Sequence, residues 1–166
     1  MAVSDGDLIT VVKDMGLVSH VFDERTLAPL TGHLAIGHTR YSTTGSSTWR
    51  NAQPVYRGGG ATQFALGHNG NLVNTGRLAD EAGMLPGMVA GDSDLVAELL
   101  EHDLEHDVGS DGEPTLVEAL SEVLPRPEGA LSFVLLAQEQ ETGGRVHYGL
   151  RPPCLVPLVH SWRCPR

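Results

Sequence analysis

Four residues in this 166-residue chain suit a small zwitterion with a reacting carbonyl: Arg40, Asn69, Gly70 and Asp92. Arg40 sits in Gly37-His38-Thr39-Arg40-Tyr41-Ser42-Thr43-Thr44-Gly45, a polar stretch bracketed by glycines. A guanidinium on such a tight loop is a fixed fork for a carboxylate or phosphate. Leu66-Gly67-His68-Asn69-Gly70-Asn71 offers a side-chain amide beside an unencumbered backbone N–H. That pair is able to hold the negative oxygen of a tetrahedral intermediate. Asp92, where a helical pattern starts, suits an ammonium group. Together they fit an amino acid: Arg40 for the carboxylate, Asp92 for the amine, Asn69 and Gly70 for the carbonyl.

Each residue alone also has a plainer role. Asn-Gly is the commonest hairpin signal, an Asp before a helix is usually a cap, and a surface Arg is usually solvated. His38 and His68, beside small apolar residues, read as satisfied core or loop histidines. Their weight comes from the elements around them. Leu34-Ala35-Ile36 and Phe64-Ala65-Leu66 read as short apolar strands, each running into one of the polar loops, where sites are usually built.

Further elements complete the frame. After the turn signal Asp5-Gly6-Asp7, residues 8–13 read as a strand rich in β-branched side chains. Residues 18–22 read as a short strand or one helical turn, and Asp23 as the cap of a helix carried to Leu30. Residues 74–83 predict a short helix and 84–91 a glycine-punctuated loop. Asp92 or Ser93 then caps a helix with Leu95, Val96, Leu99 and Leu100 at helical spacing. Residues 115–124 predict an amphipathic helix with Leu116, Val117, Leu120 and Leu124 inward, ended by Pro125 and Pro127. Residues 129–136 form an apolar run suited to a buried strand. His102 and His106, four apart, share a helix face as two metal ligands would, but no third ligand accompanies them, so a solvated face is expected.

Composition narrows the class. With 40% hydrophobic residues the chain suits one globular domain, and its formal net charge of -10 argues against nucleic-acid binding. No apolar run approaches bilayer-spanning length, and residues 1–5 lack the marks of a secretion signal, so no membrane partner and a cytoplasmic location are expected. Cys occurs only at 154 and 164, which suggests no disulfide framework or Cys-rich metal site. Residues 1–140 carry a net charge of -13 and residues 141–166 one of +3, so the tail departs from the pattern before it.

The motifs Gly37-His38-Thr39-Arg40-Tyr41-Ser42-Thr43, Asn51-Ala52-Gln53-Pro54, Gly67-His68-Asn69-Gly70-Asn71-Leu72-Val73-Asn74 and Asp92-Ser93-Asp94 occur in one order. The set closely resembles the glutaminase domain of the amidophosphoribosyltransferases, class II glutamine amidotransferases, over residues 2–136. The sugar-phosphate amidotransferases share part of the pattern and usually differ at residues 41–44 and 71–73. The resemblance implies an α+β fold of the N-terminal nucleophile hydrolase type, an αββα sandwich of two antiparallel sheets. It implies glutamine as ligand, with Arg40 and Asp92 gripping its α-carboxylate and α-amine, Thr43 nearby, and Asn69 and Gly70 forming the oxyanion hole. Tyr41 would belong to the loop linking glutamine binding to the partner domain.

The family's reaction uses a Cys at the mature N-terminus, whose thiolate attacks the amide. Residues 1–6 resemble the family well after that Cys, so the nucleophile and its strand are expected to be absent and the sandwich incomplete at both ends. After residue 136 the family shows Arg-Asp-Pro-x-Gly-x-Arg-Pro. Here Arg145, Gly149, Arg151 and Pro152 keep the spacing, while Val146 and His147 replace Asp-Pro. The expected organisation is therefore a partial amidotransferase domain over 1–140 and a divergent or frame-shifted tail over 141–166. No cofactor is expected in this segment. Mg²⁺ would belong to a missing phosphoribosyltransferase domain, and a homo-oligomer to the intact protein. The expected function is the glutamine-binding part of the enzyme that makes phosphoribosylamine from phosphoribosyl pyrophosphate in purine biosynthesis, inactive alone. The alternatives are another class II amidotransferase, of the sugar-phosphate type, or a non-catalytic glutamine-binding or vestigial module.

Overall fold

A computed structural model describes residues 1–40, 48–58, 62–85, 88, 91–106 and 115–138, together with the backbone of strands at 141–145, 156–158 and 161–163. Thr43, Tyr41, Cys154 and Cys164 lie outside the described residues.

The apolar run after Pro127 forms β6 (Gly129–Ala137), which pairs antiparallel with β5 (Phe64–Leu72) from Phe64↔Ala137 to Leu72↔Gly129. β4 (Val55–Arg57) flanks β5, and β7 (Glu141–Arg145) flanks β6, giving the order β4-β5-β6-β7. Both faces of this sheet are covered, which explains why β6 reads as continuously apolar. On one face Phe64, Leu66, Leu131, Phe133 and Leu135 join the core built with the helices. On the other, Ala65 and Leu136 meet Ala2, Ile9 and Ile36 of a second sheet.

That second sheet is β2-β1-β3, antiparallel, made of β1 (Ala2–Ser4), β2 (Ile9–Val11) and β3 (Leu34–Ile36). Residues 1–4 carried no strand signal, yet β1 is its central strand, with Ala2 and Ser4 fully buried. The Ser4 hydroxyl donates to the Gln138 carbonyl and Gln138 Nε2 donates to the Asp7 carbonyl at 2.8 Å, tying β1 to the end of β6.

The helices α3 (Thr75–Glu81), α4 (Asp92–His106) and α5 (Leu116–Val123) cover the outer face of the four-stranded sheet. α4 buries Leu95, Val96, Leu99 and Leu100, the spacing its sequence predicts. α5 opens with a capping box in which Thr115 and Glu118 satisfy each other's backbone N–H. Its buried face is Leu116, Ala119, Leu120 and Val123, not the expected set: Val117 is 53% exposed and Leu124 only partly buried. The 3.6-residue repeat carries 116, 119, 120 and 123 on one stripe and turns 117 away. The α+β class and the two facing antiparallel sheets are as the sequence predicts. Of the expected outer helical layers, the one over the four-stranded sheet is fully packed, whereas α1 (Val18–Val21) and α2 (Glu24–Leu27) bury none of their residues. α2 is capped by Asp23 as expected but ends at Leu27, short of Leu30. A two-stranded unit, β8 (Val156–Leu158) with β9 (Ser161–Arg163), follows.

Candidate functional site

The polar run 67–72 is not the loop at a strand end that its composition suggests. It is the second half of β5, paired with β6 to its last residue. In an antiparallel ladder, N–H and C=O of alternate residues point to the same neighbour. His68, Gly70 and Leu72 therefore direct theirs to the side where β4 lies, but β4 stops at Val55, opposite Leu66. Beyond it the edge is served by side chains. The His68 N–H donates to Gln53 Oε1 at 2.6 Å, and the Leu72 N–H donates to Asp92 Oδ2 at 2.8 Å. The His68 carbonyl lies 3.0 Å from His38 Nε2, and because a carbonyl only accepts, His38 carries its proton on Nε2 there. Gly70 lies between the two capped donors. Among the described residues no side chain is bonded to its N–H.

Gly70 tolerates no side chain. A Cβ there would collide with the Ala130 carbonyl oxygen and sit 2.6 Å from His68 Nε2. The alternation of β5 places the exposed Asn69 on the sheet face toward β1–β3, and His68 on the helical side.

His68 is 4% exposed, and its Nδ1 lies 3.4 Å from Ser93 Oγ in the first turn of α4. Burial lowers its pKa, with His38 adding to the effect, against the opposing pull of Asp92 and the Ala130 carbonyl. Burial thus favours the neutral imidazole, and His68 is a core histidine, but not the satisfied one its sequence context suggests: among the described residues its buried Nε2 has no partner at hydrogen-bonding geometry.

Asp92 is not the helix cap. It is the first residue of α4, half-buried, and its carboxylate is turned back to β5. Arg40 is half-buried two residues beyond His38. The structure thus gathers Asn69, Gly70 and Asp92 along one strand and its helix, and the His38 contact brings the segment carrying Arg40 to the same strand. Thr43 lies outside the described residues. Lys13 and Trp49 hold the approach to Gln53: Lys13 Nζ donates to the Ala52 carbonyl at 3.0 Å, and Trp49 Nε1 to the Lys13 carbonyl at 3.0 Å.

The roles of Gln53, His38 and Ser93 do not follow from sequence. The only signal was their place inside the motifs Asn51-Ala52-Gln53-Pro54, Gly37-His38 and Asp92-Ser93. The His102 side chain is 43% exposed and its Nδ1 lies 3.4 Å from Asp103 Oδ1, while Asp103 is engaged by Arg126 Nη2 at 2.6 Å. Among the described residues no group of three metal-ligating side chains exists, and no helix is long and apolar enough to cross a membrane.

Two face-to-face antiparallel sheets with helices outside, and a polar donor edge on an inner strand, make this an N-terminal nucleophile-type fold. The relatives are specific: the chain is homologous to one part of the amidophosphoribosyltransferases. It is 45% identical over 98% of its length to the amidophosphoribosyltransferase of Mycobacterium leprae, of which it covers 29%. It is 34% identical over 94% of its length to that of Rattus norvegicus, of which it covers 31%. Among solved structures, the glutamine phosphoribosylpyrophosphate amidotransferase of B. subtilis, complexed with ADP and GMP, superposes with a TM-score of 0.80 at 27% identity. That match covers 97% of this chain and 33% of the other. The chain thus spans about three tenths of the length of the curated relatives it matches. No family model matches the chain.

Proposed function

We propose that this chain is the glutamine-binding part of an amidophosphoribosyltransferase, and that the edge of β5 is where the glutamine amide sits. The observation that carries the reading is the Gly70 N–H, an edge donor between two capped ones, next to Asn69 and beside an Asp92 already fixed by Leu72. The Arg40 guanidinium pairs with the α-carboxylate of glutamine and Asp92 with its α-ammonium, with Thr43 close by. The Asn69 side-chain amide and the Gly70 N–H then receive the side-chain carbonyl oxygen. Donors fixed by a strand need no reorganisation as charge builds on that oxygen, and one such donor is worth about 10²–10³ in rate.

The amide carbon must be attacked by a nucleophile, which in the family resembled is a Cys at a free N-terminus, whereas the two Cys here, 154 and 164, are internal. In this reading the 166 residues bind and polarise the amide, and the thiolate comes from outside them. The ammonia released would pass to phosphoribosyl pyrophosphate, giving phosphoribosylamine for purine biosynthesis in the cytoplasm. The phosphoribosyl pyrophosphate site, its Mg²⁺ and the homo-oligomer contacts would belong to the rest of a full-length enzyme. Calorimetry of the purified chain with L-glutamine tests the reading. Binding should be saturable and lost in Arg40→Ala. Absence of heat with the folded wild-type chain overturns it, and glutamate release by this polypeptide alone would contradict the missing-nucleophile part.

A further inference from the structure

β5 continues past the end of its neighbour β4, and the way β4 ends leaves the donor at Gly70 without a β4 partner. The register Val55↔Leu66 would, if continued, bring the main chain of Gln53 opposite His68 and that of Asn51 opposite Gly70. It does not continue. Residues Trp49–Asn51 turn instead into a 3-10 helix, closed by Ala52 N–H donating to the Trp49 carbonyl at 3.0 Å. The Lys13 bond to the Ala52 carbonyl holds that diverted path. In place of a main-chain partner, the Gln53 carboxamide reaches back and accepts the His68 N–H at 2.6 Å, while His38 donates to the His68 carbonyl.

We propose that Gln53 is a positioning residue of the carbonyl-binding site: with His38 it ends the β4-β5 ladder with side chains at His68, so that the next edge donor, Gly70 N–H, faces a ligand instead of a strand. The identity of that ligand's carbonyl rests on the glutamine reading above. An uncapped His68 N–H would leave the edge free to pair or shift, and Gly70 would lose its fixed direction. Gln53 touches no ligand in this account; it acts through His68.

The experiment uses the full ¹⁵N-labelled chain, wild type, Gln53→Leu and Gln53→Glu. Gln53→Leu removes the acceptor at similar size, and Gln53→Glu retains an acceptor oxygen. Amide exchange at His68 should accelerate about tenfold or more in Gln53→Leu, with Leu66 and Asn69 unchanged, and should stay near wild type in Gln53→Glu. L-glutamine should bind about tenfold more weakly to Gln53→Leu. L-norvaline, which keeps the α-carboxylate and α-amine but has no side-chain carbonyl, should bind as to wild type. Unchanged His68 exchange in Gln53→Leu, or equal weakening of glutamine and norvaline, overturns the inference. If the wild-type chain binds neither amino acid, the glutamine reading fails, and His68 exchange alone decides the role of Gln53.

Discussion

The Asp92 carboxylate accepts the Leu72 N–H at 2.8 Å, joining the first residue of α4 to the last residue of β5. One oxygen fixes the side chain, and the geometry of a helix start set against a strand end determines where the remaining charge is presented. This bond turns Asp92 from a helix cap, as its sequence position suggests, into a preset anchor.

Replacing Asp92 by Asn keeps an oxygen for Leu72 and removes the negative charge. The melting temperature should change by only a few degrees, whereas L-glutamine should bind about tenfold to a hundredfold more weakly, a loss of about 1.5–3 kcal/mol for a charge-assisted bond. Calorimetry paired with thermal denaturation separates the two effects.

Gly70→Ala should destabilise the fold by about 1–3 kcal/mol, because the new methyl group meets the Ala130 carbonyl and the His68 ring, which must both shift. Urea unfolding measures it. Gly76→Ala is the control, since nothing lies within 4 Å of a Cβ there, and it should be neutral or stabilising.

A pH dependence follows from His68. Its pKa in the folded chain lies below the ordinary 6.5, chiefly through burial, so the unfolded chain takes up its proton first. This contribution to stability is complete above about pH 6.5 and is lost as pH falls from there toward the folded-state pKa. His68→Gln should therefore flatten that part of a stability-against-pH profile recorded by chemical denaturation. The informative quantity is the difference between variant and wild type.

Much of the frame was readable in the chain, for reasons that lie in particular residues. The repeat of Leu95, Val96, Leu99 and Leu100 and the apolar run of β6 bury whole stripes or faces, and such patterns survive any detail of packing. β1 was not readable: three residues including a serine hold a strand only because β2 and β3 pair on both sides. Asn69-Gly70 misled for a similar reason. The local preference for a turn is overridden by pairing with β6 along the full length of β5. The site residues stood out as motifs, but the function of Gln53 depends on β4 ending at Val55, a tertiary fact that no spacing encodes.

Outside the site, Arg57 on β4 is the main polar tie to α4. Its Nη2 lies 2.8 Å from Asp94 and 3.1 Å from Glu98, and its Nε 3.1 Å from Glu101. Burial works against its charge, but the three carboxylates outweigh it and raise its pKa further. Arg57→Met should cost about 2 kcal/mol, below the full penalty for a broken buried pair because Glu98 is partly solvated. Urea unfolding reads this loss, and adding Glu98→Gln to the variant should recover part of it by removing one unpaired charge.

The proposed site turns on one hydrogen atom. Titrating the ¹⁵N-labelled chain with L-glutamine should move the Gly70 amide proton downfield in a saturable way, together with the Asn69 side-chain amide, as both donate to the ligand's carbonyl oxygen. Saturable binding that leaves both signals where they were would contradict it.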